Sequence, residues 1–176
     1  AEDQILAEQK LSVVLKERTD ASDEQVQSII KLTQAQQELG VVGDEVQIAG
    51  LQQLSTFVGQ TDTIKKLLPA MNNLLVQQKG FNASQGDAVN IGKLMGKVLQ
   101  GQIGALTRVG ITFTEAEKKI LKYGTESERA ATLAKVITNN VGEMNSEFAK
   151  TDLGRIQQME NQIGDLKEEI GKGLIP

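Results

Sequence analysis

Helix starts and helix stops alternate along this chain about every twenty residues, and no other feature constrains the fold as much. Ser22 with Gln25, Thr114 with Glu117 and Thr125 with Glu128 each have the form of a capping box. In such a box each side chain satisfies the other residue's orphan backbone N–H. Thr61 and Ser84 stand at starting positions of the same kind, and Asp44 is an acidic residue suited to the positive end of a helix dipole. Gly40, Gly59, Gly80 and Gly124 stand where helices stop. No alternating strand pattern runs longer than Ile111 to Phe113. The punctuation predicts an all-α fold: a bundle or array of about six to eight short helices, closed by a C-terminal heptad-like helix.

Between these marks the apolar residues recur at helical spacing. Ala7, Leu11, Val14 and Leu15 form a stripe on the first helix, with Glu8, Gln9, Ser12 and Lys16 opposite. Val26, Ile29, Ile30 and Leu39 follow in the second, and Val46, Gly50, Leu54 and Phe57 share a face of the third. The cleanest pattern is Ile64, Leu67, Leu68, Met71, Leu74 and Leu75, which keeps i, i+3, i+4, i+7 order and marks the core. Pro69 lies inside it and is expected to bend or shorten that helix. Ala130, Leu133, Ala134, Ile137 and Val141 form the buried face behind the last capping box. The glycine-rich stretch from Gly101 to Phe113 reads as a short helical turn plus an extended segment.

Composition says what the chain lacks. There is no Cys, His or Trp. Disulfides, thiolate nucleophiles and imidazole or thiolate zinc sites are excluded, and so is the commonest general base. Only an oxygen-ligand site for Mg²⁺ or Ca²⁺ stays open. Aromatics make up 3% of the chain, so the core is aliphatic, which suits packed helices. With 19 basic and 23 acidic groups the net charge is −4, and no Lys/Arg block offers a nucleic-acid surface. No apolar run approaches the roughly 18 residues of a membrane span. The chain begins at Ala rather than Met, as a processed product or an excised piece would.

No motif points to a reaction. Gly92 to Lys97 resembles a phosphate loop in composition only: the spacing is wrong, Val98 stands where Ser or Thr is needed, and the segment is helical. The acidic pairs Asp44–Glu45, Glu126 with Glu128, and Glu168–Glu169 are explained by capping and solvation, with no convergent partner indicated for any of them. Phe57, Phe81, Phe113 and Phe148 read as core or staple residues. Catalytic, cofactor and metal residues are accordingly expected to be none. Two interaction features remain. Ala88, Gly92 and Gly96 recur every four residues, which lets a second helix pack closely. Ile156, Met159, Ile163, Leu166 and Ile170 form an a/d heptad seam. It is either a coiled-coil contact or the buried side of an amphipathic helix lying on its own bundle. Gly164 and Gly171 beside it lower helix propensity and favour weak self-association over a monomeric core. The chain thus divides into a helical domain, 1–150, and a truncated C-terminal coiled-coil-like helix, 151–176.

The order of motifs adds a resemblance. Gly43-Asp44-Glu45-Val46 leads to Leu54-Ser55-Thr56-Phe57. Gly92-Lys93-Leu94-Met95-Gly96-Lys97 runs through Gly101-Gln102 to Gly104-Ala105-Leu106-Thr107-Arg108-Val109-Gly110-Ile111-Thr112-Phe113-Thr114. Asp152-Leu153-Gly154-Arg155-Ile156 precedes Gln162-Ile163-Gly164-Asp165-Leu166 and Ile170-Gly171. Over about residues 20 to 176, this order resembles the helical region of tail tape-measure proteins of long-tailed bacteriophages and prophages. The resemblance implies a structural, non-catalytic role: a helical core inside the virion tail, around which the tail-tube protein polymerises and which sets tail length and aids DNA passage. It also implies tail-tube and tail-assembly proteins as partners, side-by-side copies, no sequence-specific nucleic-acid binding, and residence in the host bacterial cytoplasm during assembly. The chain is much shorter than such proteins and lacks their long hydrophobic segments, so it reads as an excised domain. The alternatives from other classes are a cytoplasmic helical adaptor and, behind it, a tail-associated lytic fragment working through carboxylates.

Overall fold

In the computed structural model, which describes residues 2–173, ten α-helices and a single 3₁₀ turn follow one another, with no strand among the described residues. They are α1 (Glu2–Thr19), α2 (Asp23–Leu39), α3 (Asp44–Ser55), α4 (Thr61–Lys79), α5 (Gln85–Leu99), α6 (Gly104–Thr107), α7 (Glu115–Tyr123), α8 (Glu126–Val141), α9 (Met144–Ala149) and α10 (Asp152–Gly173). The fold is the expected all-α bundle. Its helix number exceeds the expected six to eight through α6 and α9, which have only 4 and 6 residues.

Local chemistry places the boundaries. The three expected capping boxes form, and a fourth joins Ser84 to Asp87. Gly80 ends α4 at a φ of 61°, a backbone that L side chains rarely adopt. Three expectations are corrected. Thr61 is the first residue of α4 rather than its cap, and Gln60 takes the cap position without a side-chain bond. Pro69 leaves α4 unbroken as an assigned helix from Thr61 to Lys79. Leu39 ends its helix 57% exposed instead of joining the apolar stripe. The extended segment at Ile111–Phe113 pairs with no strand. Asn140 holds it instead: its Oδ1 accepts from the Thr112 N–H at 2.9 Å and its Nδ2 donates to the Thr112 carbonyl at 3.1 Å.

The core is aliphatic and centred on α4. Ile64, Leu67, Leu68, Met71, Leu74 and Leu75 are all fully buried, and Leu11, Leu15, Ile29, Ile48, Leu51 and Leu54 close over them. A close crossing joins α3 to α5. A Cβ on Gly92 would stand 2.5 Å from the Gly50 carbonyl oxygen, and one on Gly96 would stand 2.1 Å from the Phe57 ring. Ala88 is fully buried, and its carbonyl lies 3.0 Å from where a Gly50 Cβ would be. Only residues without side-chain bulk allow backbones this close.

Polar clamps fix the rest. Arg129 on α8 donates to the carbonyls of Leu99, Lys122 and Gly124 at 2.9, 2.7 and 2.8 Å, which satisfies the orphan carbonyls at the ends of α5 and α7. Glu126, read from sequence as a cap or solvated residue, accepts from the Gly59 N–H at 2.7 Å and the Thr63 hydroxyl at 2.6 Å. It ties the start of α8 to the start of α4.

Candidate interaction surface

The last helix is inverted. On an ordinary surface helix the apolar stripe faces the core and the polar face meets water. On α10 the apolar stripe faces away. Leu153, Ile156, Met159, Ile163, Leu166 and Ile170 are each 51–65% exposed. The expected a/d seam is therefore present and continuous, and Leu153, at an e position one turn before Ile156, lies exposed next to it. The seam does not lie on its own bundle.

Positions b, c and f carry the contact with the domain. They are Gly154, Gln157, Gln158, Asn161, Gly164, Asp165 and Glu168, all buried or half-buried. Gly154 permits the approach: a Cβ there would stand 1.8 Å from the Phe148 carbonyl oxygen. The amides then reach the end of α2 and the turn after it. Gln158 Nε2 donates to the carbonyls of Glu38 and Gly40 at 2.9 and 3.0 Å. Asn161 Nδ2 donates to the Val41 carbonyl at 3.3 Å. α2 has no basic residue in its last turn, so glutamine amides from α10 take the place that Lys or Arg would fill.

The turn is fixed from α9 as well. Val41 N–H donates to Asn145 Oδ1 at 2.8 Å, and Asn145 N–H donates to Asn73 Oδ1 at 2.9 Å. Gln37 accepts from the Asp44 N–H at 2.7 Å and donates through Nε2 to Asp165. The layer between α10 and the domain is thus made of buried amides rather than methyl groups.

Further along α10 that layer turns acidic. Asp44, at the start of α3, is 4% exposed and faces Asp165 and Glu168. Burial first, then the charges of Asp165 and Glu45, push the Asp44 carboxyl up to about 6. Burial, followed by a hydrogen bond and charge from Glu45, holds Glu168 up at about 8. Two acidic pairs that the sequence left separate, Asp44–Glu45 and Glu168–Glu169, meet here.

The heptad spacing made the outward row legible. The inward row was missed, because Gln, Asn and Asp opposite an apolar seam read as a solvated face. One signal was present: that face carries neutral amides and glycines where a solvated coiled-coil face carries Lys and Glu. Ala88, Gly92 and Gly96 lie inside the domain at the α3–α5 crossing, remote in role from the α10 seam. Among the described residues no helix is long and apolar enough to cross a membrane. No family model, curated protein or solved structure matches the chain.

Proposed function

We propose that this chain is a structural, non-catalytic module of a phage tail tape-measure protein, and that copies or tail partners associate through the outward row of α10. The observation that carries the reading is the inversion of that helix. Six large apolar side chains, five of them in heptad order, stand in water, while the polar face packs on the domain. A folded monomer gains no apolar burial from that arrangement, since only turning the helix over would bury the row. A second helix laid along the row recovers the burial.

Magnitude sets the strength. Burying the remaining exposed half of each side chain contributes about 1 kcal/mol. Two rows of six give on the order of 12 kcal/mol, against roughly 4–15 kcal/mol for association. The pairing of two copies is therefore weak, and it suits a protein whose copies are held together by a surrounding tube. The motif order over residues 20 to 176 supplies the tail-specific part of the reading, including tail-tube and assembly proteins as partners, a virion-tail location after assembly in the host cytoplasm, and a role in tail length.

Two experiments test it. Sedimentation of the wild type against Ile163→Asp reads the row: concentration-dependent association lost in the variant, with an unchanged melting temperature, is the expected result. A wild type that stays monomeric at millimolar concentration overturns the self-pairing. Mass spectrometry of purified phage particles reads the tail assignment. Peptides from α4 and α8 are expected in the particle, and their absence from intact tails rejects the tape-measure reading.

A further inference from the structure

Under the C-terminal half of α10 lies a cleft of about 240 Å³, bounded also by α1, α2 and the start of α3. Its lining consists of six carboxylates and four glutamines; among the described residues no basic side chain lines it. Ligand oxygens of Asp44, Asp165 and Glu168 lie within 4.8 Å of one another. Like charges so close repel unless protons or a cation intervene.

A second observation points to the cation. Gln4 on α1 lines the same cleft and is only 3% exposed. Its Nε2 donates to Glu8, another lining residue, at 2.8 Å. Its Oε1 is buried and accepts no hydrogen bond. An orphaned buried amide oxygen costs stability unless something electropositive faces it. No donor reaches that oxygen in the fold, and the three clustered carboxylates line the same cleft.

We propose that this cleft is a divalent-cation site of calcium type, with Asp44, Asp165 and Glu168 as carboxylate ligands and Gln4 Oε1 as a neutral oxygen ligand. The ligand set is all oxygen, which selects a hard ion. Ligands on opposite sides of Ca²⁺ stand about 4.6–5.2 Å apart, and across Mg²⁺ about 4.0–4.2 Å. A cluster whose ligand atoms lie within 4.8 Å of one another is compatible with the larger ion. Ca²⁺ also accepts irregular geometry and mixed carboxylate and amide oxygens, whereas Mg²⁺ demands a near-ideal octahedron. The consequence is mechanical. One ion would join α1, α3 and α10, whose ligands are otherwise up to 164 positions apart in the chain (Glu168 less Gln4). It would fasten the half of α10 that the amide ladder from Gln158 and Asn161 does not reach. The site stands whatever partner the outer row of α10 takes.

The test uses the chain stripped with EDTA and exchanged into chelator-free buffer, with CaCl₂ alone as the probe. Calorimetry is expected to give one Ca²⁺ per chain, and the melting temperature to rise by about 5–10 °C at a hundredfold excess over Kd. The Asp165→Asn/Glu168→Gln pair should abolish both signals, yet melt no lower than the wild type in EDTA, because it removes repulsion along with the ligands. If that pair fails to fold, Glu168→Gln alone, at a half-buried position, should weaken binding at least tenfold. Gln4→Leu should weaken it about tenfold, while Glu115→Gln on the exposed face of α7 should leave it unchanged. An equal rise from MgCl₂ at the same concentration, a rise that survives loss of Asp165 and Glu168, or no rise in the wild type overturns the proposal.

Discussion

Helices α4 and α10 are near equals in sequence and opposites in the molecule. Each carries a long apolar row at helical spacing, over 19 and 22 residues. The row of α4 is fully buried, while that of α10 is 51–65% exposed. The periodicity of a row shows that a face exists; it does not show what covers the face. The other side of each helix decides that. On α4 some polar positions are inside as well: Asn72 and Asn73 are buried and bonded to Gln47 and Glu143. On α10 the amides opposite the row hold backbone carbonyls of the α2–α3 turn, and that commits the helix to the inverted pose.

The largest effect that tests this contrast comes from truncating the two rows. Leu68→Ala and Leu74→Ala should each cost about 2–5 kcal/mol in denaturant unfolding, the sum of lost transfer energy and a cavity. Ile163→Ala should change stability by less than about 0.5 kcal/mol, as surface substitutions do. A loss near 2 kcal/mol at Ile163 in dilute monomer would mean that the α10 row is buried in solution.

The next effect concerns the close crossing. Gly92→Ala places a methyl 2.5 Å from the Gly50 carbonyl oxygen, which is backbone and cannot rotate away. The expected cost is about 1–3 kcal/mol, although Ala is the better helix former. A gain in stability would mean that α3 and α5 stand further apart than described.

These two tests also mark what the sequence held. Helix limits were legible wherever a side chain makes its own cap, as at Ser22, Thr114 and Thr125, because a capping box is a local contact. Close packing at Gly92 was legible because only a partner backbone explains small residues every four positions. α9 was not legible: it has six residues, and its buried Asn145 works by accepting from Val41 and donating to Asn73. Pro69 misled because the local cost of one lost N–H is outweighed by the burial of Leu67, Leu68 and Met71 around it. The acidic cluster was invisible for a topological reason. Asp44 and Glu168 are 124 positions apart (168 less 44), and no local pattern at either one foretells the other.

Acidification should act in opposite directions on the two regions, in protein kept free of divalent ions. Asp44 and Glu168 are raised in the fold to about 6 and about 8 from 3.8 and 4.5. The folded state binds more protons than the unfolded one between those values, so stability there falls as pH rises. It is fully present below about 4 and lost through pH 6 to 8. Asp87 and Glu128 are lowered, each chiefly by accepting the backbone N–H of its own cap residue, Ser84 or Thr125. Their contribution is present above the unfolded pKa and is lost as pH falls through the folded one. Hydrogen exchange should therefore show α10 amides better protected at pH 5 than at pH 8.5. Amides at the starts of α5 and α8 should lose protection only below about pH 4. Protection of α10 that rises with pH would contradict the crowding of carboxylates beneath it.

The smallest effect is the sharpest in sign. Gly154 and Gly164 both lie on the inward side of α10, ten residues apart, yet their surroundings differ. A Cβ on Gly154 would stand 1.8 Å from the Phe148 carbonyl oxygen; on Gly164 it would meet nothing within 4 Å. The helix is therefore pressed against the domain at its start, while at Gly164, one turn past Asn161, a separate pocket leaves open space between them. Gly164→Ala adds a methyl to open space, removes glycine's backbone freedom from the unfolded chain and raises helix propensity. It should stabilise by about 0.5–1 kcal/mol in chemical denaturation. Gly154→Ala should destabilise, because the obstacle is backbone. If both substitutions destabilise, α10 lies flush against the domain at Gly164 as well in solution. If both stabilise, the helix is not docked at its start, and the amide contacts from Gln158 to the end of α2 do not hold.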